Sequence, residues 1–201
     1  MCSSDLQLRV LDTAQFSSLS TSQLPGLTTA QVFALSAEQL SALSTSQITS
    51  FKPTQTGVLD GLQLQGLGTS QLAGLSTAQI RSLEVSALSQ LQMTSIQALT
   101  TAQVKSLTTN QIVCLTGNQI AAFGTQQIRA LSTAQIKYLN ADQIVSLTQD
   151  QAGALSAAQF LAMTSAQVSA FEIEDWQALS TSAIASDRKS TRLNSSHANI
   201  S

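Results

Sequence analysis

The sequence predicts an all-α fold, a repeat solenoid of short capped helical turns with one turn per eight residues. Three observations carry that prediction: an unbroken eight-residue spacing of large apolar side chains, a Ser/Thr-x-x-Gln pattern locked to it, and a segregation of charge within each repeat. The spacing begins at Leu11, recurs at Leu19, Leu27, Leu35, Leu43 and Phe51, and continues to Leu179. Twenty-two octads thus fill residues 11–186 without insertion, on the consensus L-[ST]-[TA]-x-Q-[ILV]-x-[AS]. The first position is Leu in eighteen octads and otherwise Phe51, Phe123, Phe171 or Met163. The fifth is Gln in eighteen, with exceptions at Ala87, Ser95, Asp175 and Ala183, and the sixth is large and apolar except at Thr56 and Ala152.

The spacing discriminates between backbones. In a continuous α-helix eight residues turn through about 800°, so an apolar stripe slips about 80° per octad and never holds one face. One long coiled coil is therefore a poor fit. In an uninterrupted strand, positions 1 and 6 have opposite parity and point to opposite faces, which suits neither a half-buried strand nor the Ser/Thr-rich remainder. A β-solenoid with an aligned Thr face stays as the alternative, together with a disordered polar tract.

The residue types favour short helices. With Ser or Thr at position 2 as N-cap, Gln at position 5 falls at N3, where its side chain returns a hydrogen bond to the cap's backbone N–H and completes a capping box. Leu at position 1 then stands at N′ and the aliphatic residue at position 6 at N4, the two partners of a hydrophobic staple. Pro53 sits at N1, where a missing N–H and a fixed φ do no harm. Gly26, Gly66 and Gly74 occupy the last position, where the chain must leave the helix. Pro25, at position 7, is the misfit.

Charge placement is independent of that pattern. Asp12, Glu38, Asp60, Glu84, Asp142, Asp150, Glu172, Glu174 and Asp175 all lie at positions 2, 4 or 5, whereas five of six cations in residues 7–186 lie at position 7. Anions at the start and cations at the end of each turn suit a helix dipole. A β-solenoid gives no reason for that segregation. No octad buries enough to fold alone, so stability must come from stacking on neighbours. The number of octads per coil stays open, because Arg81, Lys105 and Arg129 recur every three octads while the atypical octads at Leu83 and Phe171 lie eleven apart.

The 201 residues are 43% hydrophobic and 10% charged, with a formal net charge of −2. Ser, Thr and Gln interrupt every apolar stretch, so no run reaches the roughly 18 residues of a membrane span. Both ends break the octad register. Asp187 to Ser201 reads DRKSTRLNSSHANIS, which resembles a translated short-read sequencing adapter, and MCSSDL at residues 1–6 resembles the tail of its partner adapter. The expected organisation is therefore an adapter-derived scar at 1–6, an octapeptide-repeat solenoid over 7–186 and a second scar at 187–201, the whole being a fragment. Between the scars stand no His, one Cys, and six cations against nine acids, for a net charge of −3.

That inventory gives catalysis little to work with. With His197 set aside, no titratable base stands ready to activate the many hydroxyls, which caps and solvated faces account for. The densest carboxylate group, Glu172, Glu174 and Asp175, lies within one octad's first turn and is read as helix-start chemistry rather than a metal or acid/base site. Calcium loops would need recurring Asp and Gly at fixed offsets. Cys114 reads as a half-buried structural thiol without a charged neighbour, and Trp176 as a core replacement for Ile. Tyr138 and Phe33 stand where small or variable residues are usual and mark a candidate contact surface. No Cys/His pair has zinc spacing, no glycine-rich phosphate loop is present, and six scattered cations make no nucleic-acid stripe. No catalytic, cofactor-binding or metal-binding residue is expected, and no enzyme.

The octads LSTAQIRS, LTTAQVKS and LSTAQIKY resemble the repeat tracts of very large bacterial exoproteins, a group labelled haem-utilisation or adhesion proteins. The resemblance covers residues 7–186 and implies a non-catalytic scaffold or spacer, adhesion-related, in an extracellular or cell-surface protein. A protein or cell-surface partner is expected with it, while the charge and apolar patterning above give the expectation of no nucleic acid and no membrane insertion; the resemblance carries over no site residue. A haem would find no His in this tract, and only Met93 and Met163 as further candidates. The alternative expectation is an intracellular helical-repeat scaffold that grips a protein partner along a concave face.

Overall fold

The computed structural model describes residues 11–171, 173–179 and 183–184. The adapter-like segments 1–6 and 187–201, with His197, lie outside the described residues. Among the described residues there are twenty α-helices of four to six residues and one 3-10 turn, one element in each octad from Leu11 to Phe171, and no strand. The fold is the all-α repeat solenoid that the octads predict. The β-solenoid alternative fails because each octad turns back on itself through helical hydrogen bonds.

The chain divides into two compact units, Met1–Leu107 and Thr108–Ser201. Within the first, helices three octads apart pack on one another. One column runs Thr13–Ser17, Ala37–Ser41, Gly61–Gly66, Val85–Leu88; a second runs Thr45–Thr49, Thr69–Gly74, Met93–Ala98; a third runs Thr29–Phe33, Pro53–Thr56, Thr77–Ser82, Thr101–Ser106. The second unit repeats the plan, with columns Thr109–Cys114, Thr133–Tyr138, Ala157–Ala162; Gly117–Ala121, Ala141–Val145, Ser165–Ser169; and Thr125–Ala130, Gln149–Ala154, Ile173–Ala178. One coil is therefore three octads, the interval that separates Arg81 from Lys105.

Positions 1 and 6 form the core. Leu64, Leu72, Ile80, Ile112, Ile120 and Ile144 at position 6 are fully buried, and the Leu residues at position 1 from Leu35 onward nearly so, whereas Leu11, Leu19 and Leu27 are half-buried. Each described helix with Ser, Thr, Asp or Asn at the N-cap has both halves of the capping box, from Asp12 with Gln15 to Thr164 with Gln167. At Lys52, Gly68 and Gly124 only the glutamine half is made, with Gln Oε1 accepting from the cap's backbone N–H at 2.6–2.7 Å.

The glutamines do more than the box requires. They are buried in every octad that has one from Gln39 to Gln167. Gln63 Nε2, for example, donates to the carbonyls of Val32, Phe33 and Leu35, at 3.1, 3.1 and 2.7 Å. Those acceptors lie 31, 30 and 28 residues back, and they include carbonyls that a short helix leaves without partners at its C-terminal end. One amide therefore caps the start of its own helix through oxygen and the end of a helix in the preceding coil through nitrogen. Gln71, Gln79, Gln103, Gln143, Gln151, Gln159 and Gln167 repeat the arrangement.

The last positions obey a different rule from the expected glycine cap. Among the described C-caps none is left-handed: after Gly66 and Gly74 the chain turns straight into extended backbone, at Leu67 with φ −70° and at Leu75 with φ −58°. Glycine is needed there for closeness. A Cβ on Gly66 would lie 2.8 Å from the Ala37 Cβ, and one on Gly74 would run into Thr45. Position 8 thus sits on position 3 of the preceding coil. The same contact joins Gln90 to Gly61 and Ser146 to Gly117, where the glycine has moved to position 3. Pro25 turns its octad into the 3-10 element Leu24–Gly26, because proline cannot supply the N–H of an α-helical turn.

Candidate functional surface

With positions 1, 5 and 6 turned inward, any binding chemistry falls to positions 2, 3, 4, 7 and 8. In the second unit the interior lined by Ile128, Ile136, Ile144 and Met163 holds no space that a water molecule could occupy. The candidate site is therefore an outer surface.

Three octads per coil sort that surface by charge in the first unit. Asp12, Glu38, Asp60 and Glu84 are all exposed and belong to successive octads of the first column, whereas Lys52, Arg81 and Lys105, also exposed, belong to successive octads of the third. The second column has neither. The three-octad recurrence of Arg81 and Lys105 in the sequence becomes alignment on one column once a coil is three octads. The carboxyl of Glu38 is held below its ordinary value by a backbone hydrogen bond and, next, by the Ser36 hydroxyl.

The second unit also exposes charge, at Arg129, Lys137, Asp142 and Asp150, and adds a column of apolar groups. Val113, Tyr138 and Leu161 project from successive helices of one column, at 41%, 55% and 37% exposure. Val145 stands exposed on the next column. In the first unit Phe33 is as exposed as Tyr138 but lies on the column that carries Arg81 and Lys105.

The other residues that the sequence singles out do not converge. Glu172 lies outside the described residues; Glu174 is exposed whereas Asp175 is buried, so neighbouring carboxylates point apart. Among the described residues no three His, Cys, Asp or Glu side chains are grouped to hold a metal ion. Cys114, the last residue of its helix, is exposed rather than half-buried. Trp176, half-buried, packs on the buried Phe160 and Phe171, with ring centroids 5.8 and 6.0 Å away. Met93 is exposed and Met163 fully buried. Among the described residues no helix is long and apolar enough to cross a membrane.

A feature that sequence reasoning missed is the second role of the glutamines. The signal was present: Glu completes a capping box as well as Gln does, yet position 5 never carries Glu. Only Gln has an amide nitrogen to donate.

Comparison with known proteins places these features beside a described repeat. The model of the ALTTAQ repeat matches residues 88–125 and 118–149. No curated protein matches the chain. The middle of the chain is a tandem-repeat region similar to the ALTTAQ repeat, in which the repeated unit is the Gln-linked helical octad.

Proposed function

We propose that the chain is a non-catalytic scaffold or spacer segment of a large secreted or surface-exposed bacterial protein, acting in adhesion through its outer faces. The observation that carries this reading is the division of labour within the octad. Positions 1, 5 and 6 form the buried core, positions 8 and 3 meet between coils, and the faces left open form a repeating outer surface of small polar residues with sparse charged and apolar groups. Such an array spans distance and displays side chains at fixed intervals. The similarity of LSTAQIRS and its neighbours to exoprotein repeat tracts supports the compartment, with neither a nucleic-acid partner nor a cofactor in the proposal.

Long-read sequencing across the source locus tests the reading. Octads continuing beyond residues 7 and 186, beside an export signal or secreted domains, are the expected result. A parent gene with no route out of the cell would overturn it. That outcome would favour an intracellular protein-binding scaffold, for which the column of Val113, Tyr138 and Leu161 speaks, since an aligned set of exposed apolar groups suits a protein partner.

A further inference from the structure

The glutamine links fail at one boundary inside the first unit. Residues 59–82 are tied back by all three of their fifth positions, Gln63, Gln71 and Gln79. Of the three fifth positions in residues 83–106, only Gln103 carries the amide that reaches back, to Leu72, Ala73 and Leu75. The other two fifth positions are Ala87 and Ser95, both buried. Neither has an amide with which to reach a carbonyl one coil away, so the bonds that Gln71 makes have no counterpart there. The same octads lack the capping box: the side chains of Glu84 and Gln92 make no cap hydrogen bond, and the helix Val85–Leu88 is only four residues long.

A different bond crosses this boundary, in the opposite sense and in the open. Gln65 Nε2, on the lower coil, donates to the backbone carbonyl of Gln90 on the upper one, at 2.8 Å and exposed. Gln90 folds its side chain over Gly61, where a Cβ would run into the amide, and its Nε2 donates to the Ser86 carbonyl at 3.0 Å. A buried amide bond is shielded from competing water, whereas an exposed one is not.

We propose that the boundary between residues 59–82 and 83–106 is a built-in opening joint, latched at its rim by Gln65 on Gln90. It parts before any other coil boundary of the first unit, while Gln103 keeps the third column attached. Parting lets the unit lengthen under tension without unravelling its helices, as suits a spacer. This reading does not depend on the compartment proposed above, and either can fail alone.

Native-state hydrogen exchange of the full chain, read by mass spectrometry, tests the joint. The helices Val85–Leu88 and Met93–Ala98 are expected to exchange at least about tenfold faster than Thr69–Gly74 and Thr77–Ser82. Gln65→Ala should speed exchange in Val85–Leu88 by about fivefold, the equivalent of one lost hydrogen bond. Ala87→Gln should slow it, and Gln71→Ala should create a second fast segment at Thr69–Gly74. Exchange of residues 59–106 in a single step, or rates unmoved by Gln65→Ala, would overturn the proposal. Gln65 is a surface residue, so that variant reports even if Ala87→Gln does not fold.

Discussion

Gln143 and Leu115, 28 residues apart, share a 2.7 Å hydrogen bond from amide nitrogen to backbone carbonyl, while the same amide's oxygen accepts from the Asn140 backbone N–H at 2.9 Å. Gln143 is fully buried. Its two ends do different work, so two substitutions separate them. Gln143→Glu keeps the acceptor at the cap but turns a carboxylate oxygen toward the carbonyls of Ile112 and Leu115. Gln143→Ala removes both ends and leaves unpaired groups. We expect Gln143→Ala to cost about 2–3 kcal/mol and Gln143→Glu about 3–5 kcal/mol at neutral pH, with part of the Glu cost recovered in acid as the carboxyl protonates. Urea denaturation at pH 7 and pH 4 checks both. A Glu variant as stable as wild type would show that the nitrogen's bonds contribute nothing.

Glycines at two positions should respond in opposite directions. A Cβ on Gly153 would lie 2.9 Å from the backbone carbonyl of Ala178, which cannot swing aside. Gly153→Ala is expected to destabilise the second unit by about 1–3 kcal/mol. Gly68 is an N-cap with φ −66° and only the Gln71 Oε1 nearby, at 3.6 Å. Gly68→Ser supplies the missing hydroxyl acceptor for the Gln71 N–H and should stabilise by about 0.5–1 kcal/mol. Thermal unfolding reads both shifts.

The exposure of Cys114 gives a direct chemical readout. In a Cys2→Ser background, Cys114 should react with a disulfide reagent in the native chain at a rate within about threefold of that in urea. A rate slowed a hundredfold would return the thiol to the interior.

Glu38 gives the acid side of the stability profile. Hydrogen bonds from its backbone and from Ser36 favour the charged form, so its carboxyl titrates below the ordinary value of 4.5. The associated stabilisation is present above that ordinary value and is lost as pH falls through the lowered one. NMR titration of the side chain should find the midpoint depressed in the native chain, and Ser36→Ala should move it upward.

Much of the fold was legible because the octad writes its local rules twice, once in cap residues and once in charge order. Asp12, Glu38 and Lys105 stand where a helix dipole wants them, and Pro53 stands where a helix begins. Three things were not legible. The coil length depends on which carbonyl a glutamine reaches 28 residues away, and local pattern does not carry that distance. The glycines at 66 and 74 looked like conformational caps, whereas contact with Ala37 and Thr45 sets them, and those partners are neighbours only in space. The recurrence of Arg81 and Lys105 every three octads was visible, but that it sets them on one column with Lys52 followed only from the coil length.

The three-octad coil also sets the step in which such an array can grow or shrink. Loss or gain of one octad keeps every core and glutamine position in register, since each octad presents the same inner residues. It would nevertheless move each later octad to the next column and scatter an aligned set such as Arg81 and Lys105 around the surface. Only changes of 24 residues preserve the outside as well as the inside. Duplication in units of three octads conserves a display; duplication in single octads conserves folding but randomises what is displayed.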